Sequence, residues 1–123
     1  MRSEIIYKEN AATIEWDENY FKYCEFVDFS MEGEVVSSDF IGCSFRNLDW
    51  YMALFSFTNF INCRFINCIF QGTGFPDTRF VDCTLIDCKF VKDNLNRDCY
   101  FTKTSAYNCQ VSDGEGFNPE IRT

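Results

Sequence analysis

From Phe40 onward a large apolar residue recurs at every fifth position: Phe40, Phe45, Trp50, Phe55, Phe60, Phe65, Phe70, Phe75, Phe80, Leu85, Phe90, Leu95 and Tyr100. Two residues before each of these centres stand Ser38, Cys43, Leu48, Ala53, Thr58, Cys63, Cys68, Thr73, Thr78, Cys83, Cys88, Asp93 and Asp98, most of them small. A period of five fits neither an amphipathic helix nor a plain alternating strand. It is the mark of an array of short structural repeats. A single repeat cannot cover its own apolar centre. Stacked turns must supply the core, and stability becomes nearly a sum over neighbouring turns.

The segments Cys63–Asn67, Cys68–Gly72, Thr78–Asp82 and Cys88–Lys92 resemble the motif of the pentapeptide-repeat family, which runs small residue, polar residue, central Leu or Phe, then two mostly polar residues. The resemblance implies an all-β fold, a right-handed quadrilateral parallel β-helix. In it four pentapeptides make one square coil, the centre and the small residue point inward, and the other three point outward. If the register slips, the repeat extends further. Upstream, Phe21, Phe26 and Met31 are five apart, carry Cys24 at the small position, and rejoin the main register near Val35 through a four-residue step. Downstream, a six-residue step from Leu95 to Phe101 leads to Phe101, Ala106 and Val111, with Cys99, Thr104 and Cys109 at the small position. The expected organisation is a cap segment over residues 1–19, a solenoid of about five coils over residues 20–112, and a tail over residues 113–123. The runs EIIY and TIEW offer short strands and Trp16 as a plug for the open end. Without a cover, bare edge strands would invite end-to-end association.

All eight Cys fall on the small inward position. At twenty residues per coil, Cys24, Cys43, Cys63 and Cys83 should form one column, and Leu48, Cys68, Cys88 and Cys109 the next. A linear ladder does not converge on a tetrahedral metal. Its rungs, ~4.8 Å apart, are also wider than the ~3.8 Å between the Cβ atoms of a disulfide. Free, buried thiols serving as small hydrophobes are expected, with no metal and no cofactor. Asp77, Asp82 and Asp87 share a corner position with Asn47, Asn62 and Asn67, and are expected to support turns by bonding to nearby backbone.

Composition narrows the chemistry. The 123 residues suit one domain, and the absence of His removes the usual general base and the commonest metal ligand. No catalytic residue is assigned, and the chain is not expected to be an enzyme. A net charge of −8 disfavours direct nucleic-acid binding. Residues 1–39 hold ten acids against three bases, net −7, and the remainder is nearly neutral. No apolar run reaches membrane-spanning length, and the polar, acidic start is unlike a signal peptide, so a cytoplasmic location and no membrane contact are expected.

Outward positions are where function is sought, because inward ones are committed to packing. Columns such as Ile41, Ile61, Val81 and Ile66, Ile86 suit a pleated surface without further explanation. Tyr51, Met52, Leu54 and Phe57 do not: four large apolar residues on one outward arc need either the N-terminal segment folded over them or a partner. The acids Glu25, Asp28, Glu32 and Glu34 lie one coil away and would steer a basic partner. Together these eight residues are the expected partner-binding set. The reading that fits best is a non-enzymatic protein-binding module, a small cytosolic inhibitor or immunity protein that occludes a toxin with a basic surface, such as a nuclease. The alternative is implied by resemblance to the quinolone-resistance and topoisomerase-binding members of the family: a DNA mimic that occupies the gyrase DNA site. Those members form longer, dimeric, evenly charged rods, which ranks the alternative second. Monomer and dimer both stay open.

Overall fold

A computed structural model describes residues 1–122. It is almost entirely parallel sheet, with 3% helix, wound as a solenoid of about 4 turns. The first coils are built from β1 (Ile5–Ile6), the single-turn helix α1 (Lys8–Ala11), β2 (Asp17–Lys22), β3 (Glu25–Glu32), β4 (Val35–Ile41) and β5 (Ser44–Tyr51). The strands then shorten to β6 (Leu54–Phe55), β7 (Asn59–Ile61), β8 (Arg64–Ile66), β9 (Ile69–Gln71), β10 (Arg79–Val81), β11 (Thr84–Ile86) and β12 (Lys89–Val91). Last come β13 (Ser105–Tyr107), β14 (Gln110–Ser112) and β15 (Glu120–Arg122).

The rod has four sides, each defined by a column of inward centres. Side I stacks Phe21, Phe40, Phe60, Phe80 and Ala106 through β2, β4, β7, β10 and β13. Side II stacks Phe26, Phe45, Phe65, Leu85 and Val111 through β3, β5, β8, β11 and β14, with β1 laid over β3. Side III carries Met31, Trp50, Phe70 and Phe90. Side IV carries Val36, Phe55, Phe75 and Phe101. The in-register strand spacing makes like rings stack: Phe45 on Phe65 at 4.7 Å and 6°, Phe70 on Phe90 at 4.6 Å and 6°. Adjacent sides meet edge to face, as Phe60 does with Phe65 at 5.1 Å and 74°. Each such pair contributes about 0.5–1.5 kcal/mol beyond area burial.

Sides are joined by residues in the left-handed region. Asn47, Asn62, Asn67, Asp77, Asp82 and Asp87 all have φ between 50° and 57°, a conformation that Asn and Asp tolerate best among residues with a Cβ. The expected turn role therefore holds, but the bonding differs. The side-chain amides reach to the next coil, Asn47 donating to Asp28, Asn67 to Asn47 and Asn108 to Asp82 at 2.7–2.8 Å, rather than to nearby backbone.

Both register slips lie away from their expected places. Val36 is buried and Val35 faces solvent, so the four-residue step falls between Val36 and Phe40, where Phe21 pairs with Phe40. Downstream, Tyr100 lies against Gly74 rather than inside, and Leu95 is 64% exposed. Phe101 stacks under Phe75, so this coil carries six residues beyond the regular twenty, inserted within residues 92–98. The insertion consumes chain without adding a side, so Leu95 drops out of the inward set. It also moves Cys109 beneath Cys83 instead of Cys88. The thiols of Cys43, Cys63, Cys83 and Cys109 donate in turn to the carbonyls of Phe21, Phe40, Phe60 and Phe80 at 3.2–3.4 Å.

All eight thiols are free, and six are buried; Cys99 and Cys109, in the last coil, are only half-buried, contrary to expectation. Val111 is exposed for the same reason, since no further regular coil is stacked on side II among the described residues. Desolvation pushes the Cys63 thiol well up. Cys68 is raised by its hydrogen-bonded neighbour Cys88 and then by burial. Such thiols are poor nucleophiles. At the N-terminal end Trp16 is buried against Phe21, Phe26 and Trp50, with ring centroids 5.6–5.8 Å apart. At the other end Phe117 meets Phe80 edge-on at 5.1 Å.

Candidate partner-binding site

The structure brings together part of the expected set. Glu32 and Tyr51 are register partners on side III. Met52 turns the corner into side IV, Leu54 lies on side IV, and the amide of Leu54 donates to the carbonyl of Glu34 at 2.9 Å. Glu34 occupies the inward small-residue position of its coil and is half-buried. These five residues form one surface across the corner of sides III and IV. Glu25 sits on side II and Asp28 at the corner of sides II and III, away from Leu54. Phe57 lies one corner beyond Leu54, where side IV turns into side I.

What packs on Tyr51 and Met52 is the insertion. Asp93, whose side chain is fully enclosed, accepts hydrogen bonds from the amides of Leu95 (2.8 Å) and Arg97 (3.0 Å) and from Arg97 Nε (3.0 Å). This clamp folds the insertion back on itself, with the Asp93 amide donating to the Arg97 carbonyl at 3.0 Å. The Tyr51 hydroxyl donates to the Asn94 side chain and accepts from the Asn94 amide at 3.1 Å. Arg97 reaches the Met52 sulfur at 3.5 Å. Two glycines receive the loop: a Cβ on Gly72 would strike the Asp93 carboxyl, and one on Gly74 would strike the Tyr100 ring. The sequence reading missed this element because Leu95 and Tyr100 continue the five-residue period by chance. The signal available was the pair of glycines in one coil and the polar run Asp93, Asn94, Asn96, Arg97, Asp98 a coil later.

Side IV differs from the others in its exterior. Its outward positions in the repeat coils are Val35, Ser37, Leu54, Ser56, Gly74, Pro76, Tyr100 and Thr102, none charged. Exposed acids surround this strip: Glu15, Asp17 and Glu18 at the N-terminal end, Glu32 and Asp98 on one flank, and Asp77 on the other, beside Lys103. Hydrogen bonds from the Arg97 amide, followed by those from Leu95 and the Arg97 guanidinium, hold the Asp93 carboxyl below its usual range.

Phe57 is the clearest departure from what folding needs. It is 69% exposed, yet adopts φ 50°, a conformation costly for a bulky residue and given at most other corners to Asn, Asp or Gly, with Tyr23 and Met52 the other large apolar side chains that adopt it. It gains little packing in return. A cleft of about 360 Å³ lies beside it, bounded by Asp77, Arg79 and Lys103. A second cleft of about 300 Å³ opens between Leu54, Tyr100 and the insertion. Among the described residues, no cluster of three metal-ligating side chains forms, and no helix is long and apolar enough to cross a membrane.

Square coils with five-residue sides, small inward residues and left-handed corners define a four-sided parallel β-solenoid. The family model for pentapeptide repeats matches eight copies over residues 38–77 and 52–85. Over residues 38–85, therefore, the chain carries the repeats that this family model describes, and its fold is the one that the resemblance implies. Similar solved structures include two trypsin-treated variants of QnrB1, a plasmid-mediated fluoroquinolone resistance protein, at 14% and 12% identity with TM-scores of 0.29 and 0.21. The alignments cover 92% and 93% of this chain, which spans 65% and 68% of the length of those proteins. No curated protein matches the sequence.

Proposed function

We propose that the chain is a non-catalytic protein-binding module of the cytoplasm that works by occlusion, in the manner of a small inhibitor or immunity protein that neutralises a toxin with a basic surface. The observation that carries this reading is Phe57, held exposed on a strained corner beside an uncharged strip with acids on its margins. An exposed aromatic beside a desolvatable strip is the form a binding hot spot takes, and marginal acids favour approach of a basic partner. The DNA-mimic alternative needs negative charge along the rod. Arg46, Arg64, Arg79 and Lys89 stand exposed on its outward columns and interrupt that charge.

The test places a photo-crosslinking p-benzoylphenylalanine at position 57 or, on side II, at position 64, in the native host. A discrete adduct with one protein from position 57 and none from position 64 is the expected result. Equal labelling from both positions, or none from either, would overturn the reading. Inhibition of purified gyrase in a supercoiling assay would overturn it in favour of the DNA mimic.

A further inference from the structure

We infer that the cleft between the insertion and side IV receives a single protruding basic side chain, lysine or arginine, of the protein partner. The inference rests on the protein-binding reading and names what that partner must present. The cleft is lined by Met52, Leu54, Gly72, Arg97, Asp98 and Tyr100 and holds about 300 Å³, the lower bound of small-molecule sites and suited to one long side chain. Its walls are apolar where a methylene stem would lie, along Leu54 and the Tyr100 ring. Long cationic side chains bury such stems readily.

The charge at the mouth decides the sign of the ligand. The Arg97 guanidinium is already matched by the enclosed Asp93 carboxyl at 3.0 Å, so it contributes little net positive field. Asp98 is 73% exposed, and its ion pair with Lys92 is long, at 3.9 Å, and equally open to solvent. A pair of that kind is worth little and yields easily to a better-placed cation. Glu32 and Glu34 stand at the same corner, in the coil that pairs with Tyr51 and Leu54. The result is a side-chain-sized slot with a fixed apolar wall and an available carboxylate.

The measurement is a methyl NMR titration of the full chain, reading Met52 and Leu54, with the amides of N-acetyl-arginine, N-acetyl-lysine, N-acetyl-norleucine and N-acetyl-glutamate as probes. Saturable shifts are expected with arginine and lysine, weaker ones with norleucine, and none with glutamate. Asp98→Asn should lower the arginine affinity by about two- to fivefold, the range open to one solvent-exposed charge. Asp113→Asn, at the distant corner after side II, should leave it unchanged. Three results would overturn the inference: no saturable shift, glutamate binding as well as arginine, or Asp98→Asn without effect. Shifts of Met52 and Leu54 that develop with protein concentration alone would assign the cleft to a second copy of the chain, and so also overturn it. An adduct from position 57 that persists while these titrations fail would leave the protein-binding reading standing and remove only this one.

Discussion

Sides II and IV are built from the same inward rule, yet their corners diverge. After side II the chain turns through Asp28, Asn47, Asn67, Asp87 and Asp113, each with the short polar side chain that left-handed backbone favours. Several of these join coil to coil through side-chain hydrogen bonds. Around side IV the corners are Met52, in line with Gly33 and Gly72, and Phe57, in line with Asp77 and Lys103. The inward columns are equivalent: Phe45 on Phe65 at 4.7 Å, Phe55 on Phe75 at 5.2 Å. Folding therefore does not explain the difference. Side II shows what the coil asks of a corner, and side IV shows where something else was asked.

The comparison can be broken or sharpened by substitution. The largest effect should come from the shared interior. Phe65→Ala is expected to cost about 3–5 kcal/mol in chemical denaturation; a loss under about 1 kcal/mol would mean the stacked core is not what holds the coils. Next, Gly72→Ala forces a Cβ into the left-handed region and against the Asp93 carboxyl, and should cost about 1–3 kcal/mol. Asn67→Gly at the matching corner of side II should change stability by only a few tenths of a kcal/mol.

Acid should act on side IV first. The Asp93 carboxyl is held below its usual value by hydrogen bonds from the insertion, so the folded state favours its ionised form. Its contribution is complete above the ordinary carboxyl value of about 3.9 and is lost as pH falls through the lower folded value. Amide exchange at Leu95 and Arg97 should accelerate there before exchange in β8 does. In Asp93→Asn the loop should exchange rapidly at neutral pH and lose that dependence. The smallest effect has the opposite sign. Phe57→Asn should leave stability unchanged or raise it by up to about 1 kcal/mol while abolishing partner capture. If this variant destabilises the protein, Phe57 serves the fold and side IV is no exception.

Much of this was legible in the chain. From Phe40 to Phe90 the period left no freedom, because a residue shifted by one would carry Phe to the outside, and the resulting coil, cysteine ladder and corner roles follow from it. The slips were harder to place. Val35 and Val36 are chemically the same, and only the pairing of Phe21 with Phe40 decides which is inward. Leu95 and Tyr100 keep the apolar period through a loop that has left the coil, while Phe101 resumes it one residue later. Of the expected binding residues, exposure was readable for Phe57 because its position fixes its direction. That Tyr51 and Met52 lie under the insertion was not, because the covering residues are more than forty positions away and their contact depends on six extra residues spent in one coil.

The aromatic inventory has a spectroscopic consequence. Both tryptophans of the chain, Trp16 and Trp50, lie in contact at the N-terminal end of the rod, 5.6 Å apart and nearly perpendicular, and every coil further along is lit only by phenylalanine and tyrosine. In a solenoid whose coils hold only their neighbours, the ends can loosen independently. Indole fluorescence is then a local gauge of the capped end. Fraying that begins at Phe101 and Phe117 would lower the ellipticity while the tryptophan emission stays fixed, and detachment of the N-terminal segment would do the reverse.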